Sequence, residues 1–121
     1  MVLQEATIGG TVYLEYDDDQ MKLDEKDRVA FDYRALTNRE KIDLLHRSAG
    51  RGGIPNGADI CLVAVTKVRN LEKRDGSALD SIQKMLEYQD INNTIAYMIE
   101  IIGSRIWSRQ CGEEVGLKNS Q

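Results

Sequence analysis

Between residues 90 and 109 the chain reads DINNTIAYMIEIIGSRIWSR, and Ile91, Ile95, Met98, Ile99, Ile102 and Ile106 recur at spacings of three and four. On a helix these side chains share one face, so a long amphipathic helix is expected here and the rest of the chain must cover its apolar side. Asp90 stands where a helix N-cap belongs, because its carboxylate can accept from the first free backbone amides. Asn92, Asn93, Glu100 and Arg105 interrupt the apolar run, which rules against a membrane span of roughly 20 residues. Tyr97 and Ile101 widen the stripe enough to touch more than one neighbour.

A chain of 121 residues is long enough to bury a core without staples, so a single domain over residues 1–110 is expected. One Pro and apolar residues grouped in periodic runs point to an α+β fold that is mostly helical. The first residues show no basic stretch followed by an apolar core, so no secretory signal is expected. Cys61 and Cys111 have no metal-type spacing and fit a reducing, cytoplasmic compartment. After Arg109 the sequence turns polar, and residues 111–121 are expected to form a disordered tail.

Two segments lead the chain in with a two-residue period. Residues 11–16, TVYLEY, and 28–33, RVAFDY, alternate β-branched and aromatic types as strands with one buried face do. They read as an antiparallel hairpin joined by the acidic connection 17–27, which is too long for a tight turn and is expected to be mobile. That connection is no calcium loop of the EF-hand type, since it lacks a Gly and its sixth position is Lys22. Thr37 and Glu40 have the spacing of a capping box, so a helix is expected from Asn38 through Ile42, Leu45 and Ala49, ending near Gly50. The Gly-rich stretch 50–57 lacks the Lys and Ser/Thr of a phosphate loop and reads as a connection between helices. Residues 58–70 have a helical stripe but a β-branched composition; helix is expected, with an extended end around 65–71. A turn at Arg74-Asp75-Gly76 precedes a short helix beginning at Ser77 and burying Leu79, Ile82 and Leu86. The expected architecture is an N-terminal antiparallel β-hairpin followed by about four helices.

The residues offer little chemistry. The single His, His46, lies beside Arg47 on the capped helix with no nucleophile or orienting group near it in sequence. Cys61 sits in an apolar run, as a buried thiol does. One His and two distant Cys do not make a zinc site, so neither a metal, a cofactor nor an enzyme activity is expected. A net charge of −4 argues against a dedicated nucleic-acid binder, and the aromatic interleaving of single-strand platforms is missing. The charge is unevenly placed. Residues 15–32 hold eight acids against three bases, and residues 33–51 five bases against two acids. The two segments either neutralise one another within a fold or steer head-to-tail self-association. In the second case Asp17, Asp18 and Asp19 of one copy would face Arg39 and Arg51 of the next.

The order of these features resembles the tail assembly chaperones of long-tailed bacteriophages. Many of these carry a strand, then a Leu-Thr-x-Arg-Glu helix start, here Leu36, Thr37, Arg39 and Glu40. An Asp-Gly turn then precedes their last two helices, here Asp75-Gly76. The similarity covers about residues 28–109; the long acidic connection and the β-branched second helix depart from it. It implies a non-enzymatic, homo-oligomeric protein of the infected host's cytoplasm that binds the tape measure protein and helps recruit tail tube protein. Apolar positions of the terminal helix, Tyr97, Ile101 and Trp107, would then be the partner or subunit contacts; the alternative is that all three complete the core. The alternatives from other classes are a small head–tail completion protein, which would persist in virions, and a nucleic-acid-associated regulator, whose binding would be salt-sensitive.

Overall fold

A computed structural model describes residues 1–3, 9–49 and 52–112. It has the expected α+β class, with β1 (Gly9–Tyr13), α1 (Asp18–Met21), β2 (Ala30–Arg34), α2 (Asn38–Arg47), α3 (Gly57–Ala64), β3 (Val65–Arg69), α4 (Ile82–Glu87) and α5 (Thr94–Trp107) in chain order. The strands form one antiparallel sheet in the order β1-β2-β3. Val12 faces Phe31 across the first pair, and Phe31 faces Val68 across the second. Those side chains are buried together with Ile60 and Cys61 of α3 and Ile99, Ile102 and Ile106 of α5, so the core is a helical layer laid on one sheet face. Across the other face Asp32 accepts from the Thr11 hydroxyl at 2.8 Å and pairs with Arg69 at 2.9 Å.

The hairpin and its partner strand follow from side-chain shape. β2 alternates about the buried Phe31 and Tyr33, and Ala30 on the opposite side is also fully covered. α3 ends where Val65 takes up an extended backbone, and the β-branched residues Val65, Thr66 and Val68 continue as a strand. The extended end expected at 65–71 is therefore a third strand of the sheet, and the helix before it is correspondingly short. A register shift opposite Asp32 and Tyr33 accommodates Thr66.

The acidic connection is not a bare loop. Asp17 caps α1 by accepting from the Asp19 and Gln20 amides, and a 3-10 turn follows over Glu25–Asp27. Arg28 donates to the carbonyls of Met21 and Leu23, and Val29 N–H donates to the Gln20 side chain. These bonds fasten the connection to the foot of β2.

The capping box of α2 has both arms in place: the Glu40 amide donates to the Thr37 hydroxyl at 3.1 Å, and the Thr37 amide to the Glu40 carboxylate at 2.9 Å. Arg34 grips the same carboxylate at 2.6 Å. The helix starts at Asn38 as expected but ends at Arg47, before Ala49, and of its residues Leu44 faces the core while Ile42 and Leu45 are exposed. α4 also starts later than expected. Ser81, not Ser77, accepts from the Lys84 amide, and Ile82 and Met85 are buried while Leu86 faces out. The Asp75-Gly76 turn stands where expected, with Gly76 at φ 89°.

α5 is shorter than its sequence stripe. Asn93 has a left-handed backbone, so the helix begins at Thr94 and Ile91 lies outside it, 98% exposed. Asp90 still caps the helix, its carboxylate accepting from the Thr94 amide at 2.7 Å and more distantly from Ile95. The other five stripe residues are buried. Past Trp107 the helix continues as a π-helical turn, Ser108–Gly112. Cys111 and Gly112, expected in the polar tail, still belong to this turn; residues 113–121 of that expectation lie outside the described residues. No helix among the described residues is long and apolar enough to cross a membrane.

α3 and α5 make the most extensive helix–helix contact of the fold, and two glycines set their separation. A Cβ on Gly103 would lie 2.4 Å from the Gly57 carbonyl oxygen, and one on Gly57 would lie 2.6 Å from the Glu100 Cα. Both obstacles are backbone. Gly103→Ala is therefore expected to lower the unfolding free energy by about 1–3 kcal/mol or more in urea titrations, while Ser104→Ala on the exposed side changes it by less than about 0.5 kcal/mol. Glu40 supplies a second prediction. Its hydrogen bond to Arg34, then that to the Thr37 amide, hold its pKa down at about 2. A folded pKa below the unfolded value of about 4.3 stabilises the fold above that pH and is lost as pH falls toward 2. Urea midpoints should decline over this window, and the part due to Glu40 should vanish in Glu40→Gln.

Candidate partner-binding face

α5 is tied to the sheet as well as to α3. Arg105 forms an ion pair with Glu15 just past β1, and Arg109 donates to the Thr11 carbonyl at 3.0 Å. Gln110 is buried and accepts from the Leu36 amide at 3.1 Å, linking the π-helical turn to the start of the capping box. On the α3 side, the Glu100 carboxylate accepts from the Gly57 amide at 3.0 Å. That amide belongs to the first turn of α3, where backbone N–H groups lack intrahelical partners and negative charge is favoured. Asn56 caps the same turn through the Ala58 amide at 2.7 Å.

Among the described residues, these ties leave the side of α5 opposite the core uncovered. Tyr97 is 57% exposed and meets Tyr16 edge-to-face, with ring centroids 5.3 Å apart and planes at 89°. Ile101 is half-buried beside them. Burial, then the neighbouring Asp17 carboxylate and Tyr97, raise the Tyr16 phenol pKa, which keeps the hydroxyl neutral. Ser104 and Ser108 form a low ridge along the helix with a cleft on each side. The first cleft, about 440 Å³, runs between α5 and the end of β1 and is bordered by Glu15, Tyr16, Ile101, Arg105 and Arg109. The second, about 290 Å³, lies between α5 and the entry to α3, where Ile54, Pro55, Ile60, Glu100 and Trp107 line it.

Of the three residues predicted to contact a partner, Ile101 lines the first cleft, Tyr97 stands against Tyr16 at its border, and Trp107 is in the wall of the second cleft, where its ring also packs on the core. Among the described residues, those predicted for charge-steered self-association are not brought together. Asp18 and Asp19 are exposed on α1, Asp17 is engaged as its cap, and Arg39 is exposed in the first turn of α2. Arg51 lies outside the described residues. Among the described residues the ion pairs are Arg34–Glu40, Asp32–Arg69, Asp80–Lys84 and Glu15–Arg105, so none joins the acidic segment 15–32 to the basic segment 33–51.

Sequence reasoning missed Tyr16, Glu15, Arg105, Arg109 and Glu100 as parts of this surface. The first two ended a strand pattern, and the helical charges read as interruptions of an apolar run. Only the i, i+4 spacing of Tyr97, Ile101 and Arg105 carried a signal, since it puts them on one side of the helix. Among the described residues no group of three or more His, Cys, Asp and Glu side chains is arranged to hold a metal ion.

No protein-family model, curated protein or solved structure matches this chain.

Cys61 belongs to the core rather than to the surface. It is fully buried, its thiol donates to the Ile99 carbonyl at 3.5 Å, and burial, with Glu100 adding to it, pushes its pKa up to about 12. With Cys111 replaced by Ser, the folded protein should resist a thiol-specific disulfide reagent at pH 8 and react only once denaturant unfolds it. Rapid labelling of the folded variant would place Cys61 at an opening the fold does not show.

Proposed function

We propose that this chain is a tail assembly chaperone of a long-tailed bacteriophage, a non-enzymatic protein that holds a helical tape measure protein and aids recruitment of tail tube protein in the host cytoplasm. The observation that carries this reading is the side of α5 left open among the described residues, where the exposed rings of Tyr97 and Tyr16 meet beside the half-buried Ile101, which lines the first cleft with Tyr16. Exposed aromatic clusters of this kind mark protein-binding surfaces, and an amphipathic helix lies along such grooves with its apolar side inward. The element order agrees with the resemblance: a hairpin, a Leu36-Thr37-x-Arg39-Glu40 helix start, an Asp75-Gly76 turn and two closing helices.

In this role Tyr97 and Ile101 bury against the tape measure protein, and Trp107 lines the far cleft. Self-association belongs to the same proposal: Asp18, Asp19 and Arg39 are exposed and form no ion pair among the described residues, which leaves opposite charges on different parts of the surface, as a head-to-tail oligomer needs.

The test is co-expression with a helical fragment of the tape measure protein encoded near this chain's gene. The wild-type chain should co-purify with the fragment. Tyr97→Ser combined with Ile101→Ser should reduce capture by about tenfold or more while leaving the far-ultraviolet circular dichroism unchanged, since removing buried aromatic anchors costs about 2 kcal/mol or more. Full capture by the double variant, or absence of capture by the wild type, would overturn the reading. Recovery of the chain in purified virions would favour a head–tail completion protein instead.

A further inference from the structure

The two clefts beside α5 carry opposite charge. The first has two guanidinium groups, Arg105 and Arg109, against the single carboxylate of Glu15. In the second, Glu100 is the only charged side chain among the described residues that line it, and the indole of Trp107 stands in the same wall. Between them the ridge carries only the small side chains Ser104 and Ser108, which border both clefts. A rod laid along the ridge therefore meets a cationic border on one side and an anionic, aromatic border on the other.

We infer that this face takes an amphipathic partner helix whose apolar stripe is flanked by carboxylates on one side and by lysines or arginines on the other, and that the two borders fix the direction in which it lies. The inference rests on the proposed use of the face for partner binding and adds the chemistry of the occupant. Packed helices lie about 8–10 Å apart, and small residues at the crossing favour the closer end of that range. At that separation the flanking side chains of the visitor reach into the clefts. Carboxylates on one flank face Arg105 and Arg109, where Arg105 can exchange its exposed pair with Glu15 for a more desolvated one. Cations on the other flank face the Glu100 carboxylate, whose Oε2 already accepts from the Gly57 amide, and can lie over the Trp107 ring. A helix with one sign on both flanks meets a like charge in one cleft, and that repulsion supplies the discrimination.

Trp107 is the only tryptophan of the chain, so its emission reports directly on the second cleft. The experiment uses the full chain and three Trp-free synthetic helices of about 20 residues sharing one leucine stripe. One has glutamates on one flank and lysines on the other, one has glutamates on both, and one has lysines on both. Titration at low and moderate salt should show the mixed helix binding about tenfold or more tighter than either uniform helix, with a shift in Trp107 emission and a preference that shrinks as salt rises. Glu100→Gln should bring the mixed and all-glutamate helices together. A spin label at one end of the mixed helix should broaden amide signals at only one end of α5.

Equal binding of the three helices, binding without a change in Trp107 emission, or broadening at both ends of α5 would overturn the inference. The outcome separates from that for the proposed function. Capture of the tape measure fragment with no discrimination among the helices removes the charge-directed face alone. Discrimination among the helices without capture of the fragment removes the chaperone reading alone.

Discussion

The fold depends on one close crossing. At Gly57 and Gly103 the backbones of α3 and α5 come within the space a methyl group would fill, and the Glu100 carboxylate closes the contact by accepting from the Gly57 amide. This contact brings Ile60, Cys61 and Ala64 against Ile99, Ile102 and Ile106, and the combined helical layer covers the inner side of the sheet. It also positions α3 so that the chain passes straight into β3 without a loop. A side chain on either glycine would separate the two helices and loosen the interior of the layer, where packing is close to crystalline density.

The same crossing decides which side of α5 remains open. Gly103, Ile99, Ile102 and Ile106 lie on the inner side, so Tyr97, Ile101, Ser104 and Ser108 are turned outward by the helical period. Arg105 and Arg109 then fall toward β1, where they meet Glu15 and the Thr11 carbonyl, and Glu100 and Trp107 fall toward the entry of α3. Structural and proposed binding residues thus alternate along one helix. Glu100 serves the fold through one oxygen and borders the open face with the rest of its carboxylate.

Much of this was legible where local chemistry is self-contained. The capping box at Thr37 and Glu40, the Asp75-Gly76 turn and the buried stripe from Ile95 to Ile106 each depend on residues within a turn or two of one another, and each stands as expected. What was not legible depends on distant partners. Ile91 fits the period, yet Asn93 in a left-handed backbone puts it outside the helix. Leu44, rather than Ile42 or Leu45, is the buried residue of α2, because the packing of that helix on distant segments such as α3 determines which side of it is covered. The β-branched residues after Ala64 become a strand because β2 offers them an edge, which periodicity cannot reveal. The open face was half legible: Tyr97, Ile101 and Trp107 stood out by type, but their cleft partners Tyr16, Glu15 and Pro55 come from segments far away in sequence.

The measurement that bears most directly on the account is site-specific photo-crosslinking in cells that express the tape measure protein. A benzophenone amino acid would replace Tyr97 on the open side of α5 or, as the reference, Ile42, which is exposed on α2. The account predicts a crosslink to the tape measure protein from position 97 and none from position 42. A crosslink from position 42 alone, or none from position 97 while the two proteins co-purify, would contradict it.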